Sequence, residues 1–437
     1  MTVADRDGAS GNDIDGRHAF ETSLAGREIG DDAKRGKTMR RIRIGGSDVT
    51  VDASDFARRL SEAFDNGERP LCLCQPDGVP MYVARSGKGH LLKRMPGSGA
   101  RHGIDCDSYE VPAALSGLGE VDGKAIVESE ETGETQLKLG FSLTKLAGRN
   151  ASEAARNAAE ADSVKTDGSR LSMRALLHFI WDQAEFNRWR PAMEKRRNWA
   201  VIRKYLLQAA EGKTAKGKGL ADMLYIPEFF DAEKETEIVA RRDTFLSKTV
   251  RSQGKRRSLA LLIGEVKEVA PARVGARMTV KHAPRFPFML PDDLHRRMNR
   301  AFETELALWN ATEGSHLIAA ATFSIDAAGI AGVEEIALMV VTDRWIPFDS
   351  RYDLALLGAL TLRGASFVKS LRYNQPRSTP MASLVLRPDR APPIAMYIVP
   401  EDADEAYGQA REALAEESGM ASWVWNVRYG AMPDLPG

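Results

Sequence analysis

Leu71-Cys72-Leu73-Cys74 and His102-Gly103-Ile104-Asp105-Cys106 hold every cysteine in this 437-residue chain, within a stretch of some thirty-five positions that also contains His90. Zinc closes a tetrahedron with thiolate sulfur and imidazole nitrogen, so a Cys-x-Cys arm facing a His-x-x-x-Cys arm supplies a complete set of three cysteines and one histidine. The residues between the arms explain how they meet. Met81-Tyr82-Val83-Ala84-Arg85, a Ser86-Gly87-Lys88-Gly89 turn and His90-Leu91-Leu92-Lys93-Arg94-Met95 read as a β-hairpin. Pro96-Gly97-Ser98-Gly99 then turns the chain so that His102 and Cys106 can present to one point if the segment takes a helical turn. A module this small buries too little apolar surface to hold itself, and a structural ion supplies the missing free energy. Cys72, Cys74, His102 and Cys106 are therefore the expected ligands of a structural zinc with all four positions filled and none open for a reacting water. Two alternatives stay open. The thiols can be three unrelated buried small hydrophobes, and His90 can replace His102 as the fourth ligand or serve as an ordinary hairpin residue.

Outward from this core, residues 1–40 are rich in Gly, Ser and Asp with mixed charge, which reads as a disordered lead. Structure is expected from Arg41, with a short strand, a Gly45-Gly46 turn and a helix over Phe56, Leu60 and Phe64. Residues 41–147 form an N-terminal α/β domain that contains the cysteine module, and closes with a strand from Leu137 to Leu146. An Ala/Asn/Glu/Ser linker over about 148–168 marks a boundary.

From Ser169 the apolar spacing becomes helical, over Leu171, Leu176, Phe179 and Ile180 and then Trp199, Ile202 and Leu206, and Asn187 to Pro191 interrupts it. Ten basic residues and two acids fall between Arg188 and Lys218, although Lys+Arg 61 and Asp+Glu 61 cancel over the whole chain. Short helices followed by a Lys/Gly loop resemble a winged-helix module over 169–235, with Lys195, Arg196, Arg197, Arg203, Lys204, Lys213, Lys216 and Lys218 as the residues that would face the phosphates of a nucleic acid, DNA before RNA. The bland reading is a solvated helical face. Trp181, Trp189 and Trp199 are expected in the core.

Residues 242–437 form a third, α/β domain. Thr244 to Val250 and Ser258 to Val269 read as strands around a basic turn, a helix follows over about Pro291 to Trp309, and strands cover Leu317 to Phe323 and Ile336 to Val341. A helix from Ser350 to Arg363 leads into strands at Phe367, Leu384 and Ala395, then a helix and a strand at Trp423. The predicted fold class is thus a multidomain α+β protein whose C-terminal part resembles a restriction-endonuclease-like core. Ser383 and Tyr397 stand where that core would carry metal-binding carboxylates, which predicts an inactive site there. Asp243 with Glu265 and Lys267 offers a second magnesium-binding pattern, and with it the alternative of a magnesium-dependent nuclease, although a chain with 28% charged residues produces such pairs by chance.

The segments Cys72 to Cys106, Leu176 to Trp181, Gly264 to Lys267, Trp345 to Pro347 and Phe367 to Tyr373, taken in order, resemble a family of bacterial proteins grouped as domain of unknown function 1173 and recognised by three cysteines near the N-terminus. The resemblance covers nearly everything after the lead and matches Cys72, Cys74 and Cys106. It implies bacterial mobile-element cargo with a role near DNA, and it implies no activity. No apolar run reaches the ~20 residues of a membrane span, and no secretory signal opens the chain. Cysteines gathered as ligands fit a reducing, cytoplasmic compartment. The expected function is that of a non-catalytic, zinc-stabilised accessory factor that binds nucleic acid, with a protein-interaction adaptor as the remaining alternative.

Overall fold

The computed structural model describes residues 40–86, 89–103, 106, 108–129, 132–146, 168–250, 252–253, 256–388 and 391–436. The expected lead and most of the expected 148–168 linker lie outside the described residues, as does the tip of the predicted hairpin turn.

The N-terminal module is one antiparallel sheet with a helix across it. Strands β1 (Arg41–Ile44) and β2 (Ser47–Thr50) pair in register through Ile44↔Ser47, around Gly45 and Gly46 at φ +58° and +73°. Two consecutive positive φ values are what a two-residue hairpin turn needs, and glycine meets them without steric cost. Helix α1 (Phe56–Asp65) buries Leu60 and Ala63. Strand β3 (Leu71–Cys72) pairs on one side with β1 and on the other with β4 (Val79–Ser86), which pairs with β5 (Gly89–Arg94). Ile42, Ile44, Cys72, Val79, Met81 and Val83 line the core under α1. The hairpin expected between the two cysteine arms is present as β4 and β5.

Beyond the module, the strands Ala260–Pro271, Ala276–Val280, Phe288–Leu290, Ala331–Val341 and His316–Ile325 follow one another by ladder pairing, and the last pairs back to the first. The sheet is therefore closed into a five-stranded ring, with Leu224–Tyr225 attached in parallel to Ala260–Pro271. Closure removes free strand edges. Along Ala260–Pro271 the alternation is legible: Ala260, Leu262 and Val266 enter one core, Leu261 and Ile263 the other. The second core is shared with helices Met173–Gln183 and Trp199–Ala210.

A second sheet runs Ala421–Asn426, Ile394–Val399, Leu384–Arg387, Ser366–Lys369, Arg188–Trp189. Helices Arg351–Leu362 and Glu405–Ser418 flank it in chain order, and Ser350 caps the first of them by accepting from Asp353 N at 3.0 Å.

Several expectations need correction. Thr244 to Val250 belongs to a helix, Glu235–Thr249, in place of the expected strand. Its β-branched and aromatic residues suggested a strand, but Ile238, Arg242, Phe245 and Thr249 continue a helical spacing, and Glu235 and Glu237 open the first turn. The helix placed over Pro291 to Trp309 is two helices, Asp292–Ala301 and Glu303–Ala311, that meet at Phe302. Leu137 to Leu146 is two short strands, Thr135–Leu137 and Thr144–Leu146, in different sheets. Packing also runs across the expected divisions. Thr135–Leu137 pairs with Lys213–Ala215, Arg188–Trp189 pairs with Ser366–Lys369, and one core joins Leu176, Trp199, Leu261, Ile318 and Tyr373. The expected units 169–235 and 242–437 thus share a sheet and a core, and the independent core of the N-terminal unit ends near Cys106. Trp181, Trp189 and Trp199 are buried, as expected.

Candidate metal centre

Four side chains from two loops converge at one end of the N-terminal sheet. Cys72 closes β3 with its thiol buried, and Cys74 follows in the turn into β4. Cys72 Sγ lies 3.6 Å from Cys106 Sγ. His102 Nδ1 lies 3.4 Å from Cys74 Sγ and 3.7 Å from Cys106 Sγ. All four donor atoms are within 4.8 Å of one another. A tetrahedron with Zn–S of about 2.3 Å and Zn–N of about 2.0 Å has S···S edges of about 3.8 Å and S···N edges of about 3.5 Å. The Cys72–Cys106, Cys74–His102 and Cys106–His102 separations lie close to those edges, and this cluster can hold a metal.

Local backbone geometry prepares the ligands. Gly103 N donates to Cys74 Sγ at 3.3 Å and Ser108 N to Cys106 Sγ at 3.4 Å, so two sulfurs receive main-chain donors of the kind that favour thiolate. A Cβ on Gly103 would stand 2.9 Å from Cys74 O, which explains a glycine between the two ligand loops. Cys106 N bonds back to Gly103 O at 2.8 Å, which supplies the turn that brings His102 and Cys106 together. The hydrogen-bonded Cys106 thiol holds Cys72 down at about 3, while the same partnership and burial push Cys106 up and burial pushes Cys74 up. A divalent ion held by the cluster would stabilise the thiolate form of all three cysteines. His90 is elsewhere. Its ring packs on Phe64 at 4.6 Å, in the hairpin strand β5.

The basic segment is divided in use. Arg197 donates to the carbonyls of Phe186 and Arg344 at 3.0 and 3.1 Å, and burial pushes its guanidinium down to about 10. Arg203 donates to Ile226 O at 3.0 Å and Lys216 to Phe141 O at 2.6 Å. Lys213 packs over Phe179 and is pushed down to about 8 by burial. Lys195, Arg196, Lys204 and Lys218 are exposed.

Asp243 lies on a helix, and Glu265 and Lys267 lie on a strand. Asp243 sits on the Glu235–Thr249 helix, exposed, with Arg242 Nη2 at 2.8 Å. Glu265 is 3% exposed, and its Oε1 accepts from Lys281 and lies 2.6 Å from His316 Nδ1. Lys267 is exposed, at a bulge where the ladder steps from Val266↔Val280 to Glu268↔Thr279. Tyr397 is buried in its strand, and Ser383 Oγ accepts from Ile398 N at 3.2 Å.

A second charged group escaped the sequence reading. Lys369 is 1% exposed, with Nζ 3.6 Å from Asp353 Oδ2 and 3.9 Å from Asp349 Oδ2. A lysine inside the apolar run Phe367-Val368-Lys369-Ser370-Leu371 was the available signal, since a buried lysine requires a partner.

The architecture and this cluster define a mixed α+β protein with a cysteine/histidine module able to bind a metal ion. A family model described as "Protein of unknown function (DUF1173)" matches residues 42–428, and the chain belongs to that family. No curated protein and no solved structure matches it. Among the described residues, no helix is long and apolar enough to cross a membrane.

Proposed function

We propose that Cys72, Cys74, His102 and Cys106 bind one structural zinc, and that the protein acts as a nucleic-acid-binding accessory factor without catalysis of its own. The observation that carries the first half is the match of the 3.6, 3.4 and 3.7 Å donor spacings to tetrahedral edges. Three thiolates and an imidazole select a soft or borderline ion, and four protein donors leave no position for a reacting water. Support for the second half is electrostatic. Lys195, Arg196, Lys204 and Lys218 remain exposed around the Trp199–Ala210 helix and the hairpin after it, while Arg197 and Arg203 anchor that helix to neighbouring carbonyls. DNA is the favoured polymer, and contacts to phosphate carry affinity that falls steeply with salt. The nuclease reading with Asp243, Glu265 and Lys267 ranks below this one because Asp243 and Glu265 pair elsewhere.

The test is a salt series of duplex DNA binding with zinc-loaded protein. Four phosphate contacts correspond to a slope of about −3.6 in log affinity against log salt. Charge reversal at Lys195, Arg196, Lys204 and Lys218 should abolish the slope and leave zinc content unchanged. Binding that ignores these substitutions, or no binding at low salt, sinks the nucleic-acid half and leaves the adaptor reading.

A further inference from the structure

A cavity of about 40 Å³ lies where three parts of the chain meet: the segment after the metal centre, the stretch after helix Met173–Gln183, and the strand end at Lys369. Glu110, Asp182, Asn187, Arg188, Lys369 and Tyr373 are among its walls. At ~10 to 15 Å³ per enclosed water this is room for about three waters, roughly the bulk of one tetrahedral oxyanion.

The polar inventory of the walls is incomplete. Asn187 is 3% exposed, and its Nδ2 donates to Asp182 Oδ1 at 2.6 Å and to Lys369 O at 3.1 Å. That orientation is fixed, since the reverse would set the amide oxygen against a carboxylate and a carbonyl. Asn187 Oδ1 is consequently a buried acceptor without a protein partner. Arg188 Nε is a buried donor without a hydrogen-bond partner, and the wall residue Glu110 has its Oε2 held by Arg94 Nη2 at 2.5 Å. Tyr373 Oη donates to Asp182 Oδ2 at 3.1 Å. Leaving such groups unmet in a dry interior is costly.

We propose that this cavity binds a small protonated oxyanion of the phosphate class. Its oxygens accept from the Arg188 Nε–H group, and its hydroxyl donates to Asn187 Oδ1. A simple carboxylate at neutral pH offers acceptors only and leaves Asn187 unmet. A divalent cation is disfavoured, because both Asp182 oxygens and Glu110 Oε2 already accept protein donors and Arg188 and Lys369 line the same cavity. Burial pushes Asp182 and Glu110 up, which weakens their claim on the arginines and favours an incoming anion.

The experiment is calorimetric titration of the full-length, zinc-loaded protein with inorganic phosphate at constant ionic strength, with acetate and chloride as parallel ligands. Saturable binding of phosphate and none of acetate is expected. Arg188→Met, which deletes the donor and keeps the stem, should weaken phosphate by about tenfold or more. Arg188→Lys keeps the charge and removes the Nε donor, and should weaken it severalfold; it serves where Arg188→Met does not fold. No saturable heat with the wild type, equal binding of acetate, or unchanged phosphate affinity in both variants would overturn the assignment.

Discussion

Lys369 Nζ stands 3.6 Å from Asp353 Oδ2 in a part of the protein that excludes solvent, and Ser370 O accepts from the same ammonium at 3.1 Å. Burial would raise Asp349, the second carboxylate of the group, but the Lys369 and Arg372 charges outweigh it and hold Asp349 down at about 2. Asp353 is pushed up by burial. The ammonium therefore ties the strand Ser366–Lys369 to the start of the helix Arg351–Leu362.

Removal of the ammonium leaves Asp353 buried without its cation, while Asp349 keeps Arg372 Nε at 3.5 Å. Lys369→Met should cost about 3 to 5 kcal/mol. Adding Asp353→Asn should recover part of that, with a coupling of about 1 to 3 kcal/mol for groups in contact. Urea unfolding of both single variants and the double variant measures the cycle, and purely additive costs would show that the pair does not interact.

The metal centre makes a sharper prediction. Cys106→Ser removes a sulfur that lies beside both Cys72 and His102. Zinc content should fall from about one per chain to near zero, and the N-terminal sheet should lose protection in hydrogen exchange, since structural zinc contributes ~10 kcal/mol or more in small zinc modules. His90→Ala should keep the metal, because that ring packs on Phe64. Elemental mass spectrometry of the two variants decides between the histidines.

The cysteine/histidine cluster was legible because its chemistry is rare and local. Cys72, Cys74, His102 and Cys106 fall within one short stretch, and the hairpin between them follows from alternation and turn residues. The elements of the C-terminal sheet were legible for the same reason, since Ser350 and Leu384 to Leu386 carry cap and strand signals in their own neighbourhoods. The closed ring was not. It depends on Ala260–Pro271 pairing back to His316–Ile325, a contact between segments distant in sequence that no periodicity encodes. The same holds for Glu265, whose partners Lys281 and His316 come from the two neighbouring strands. Its spacing to Lys267 suggested a metal site, but a bulge at Lys267 breaks the pattern on which that pairing relied.

Glu265→Gln therefore tests structure before chemistry. It removes the charge that Lys281 and His316 share, and the expected loss is about 1 to 2 kcal/mol, limited by the exposure of Lys281. Wild-type protein with magnesium or manganese should leave DNA intact. Cleavage that disappears in Glu265→Gln while the thermal midpoint holds would restore the nuclease reading.

His178 gives the chain an acid-sensitive point. Burial, helped by the nearby Arg174 charge, pushes its imidazole down to about 3, and Nδ1 accepts from Tyr373 N at 3.0 Å, which requires the neutral ring. The unfolded chain protonates this histidine near its ordinary value of about 6.5 and so binds the extra proton first. The contribution of His178 to stability is fully present above pH ~6.5 and is lost as pH falls toward ~3, at up to about 1.4 kcal/mol per pH unit inside that window. His178→Gln offers Tyr373 N an acceptor that does not titrate. Its stability at neutral pH should lie near or below that of the wild type, and its acid limb should be shallower by one proton between those limits. Urea midpoints collected from pH 4 to 7 give both slopes, and parallel curves would place the acid sensitivity in other groups.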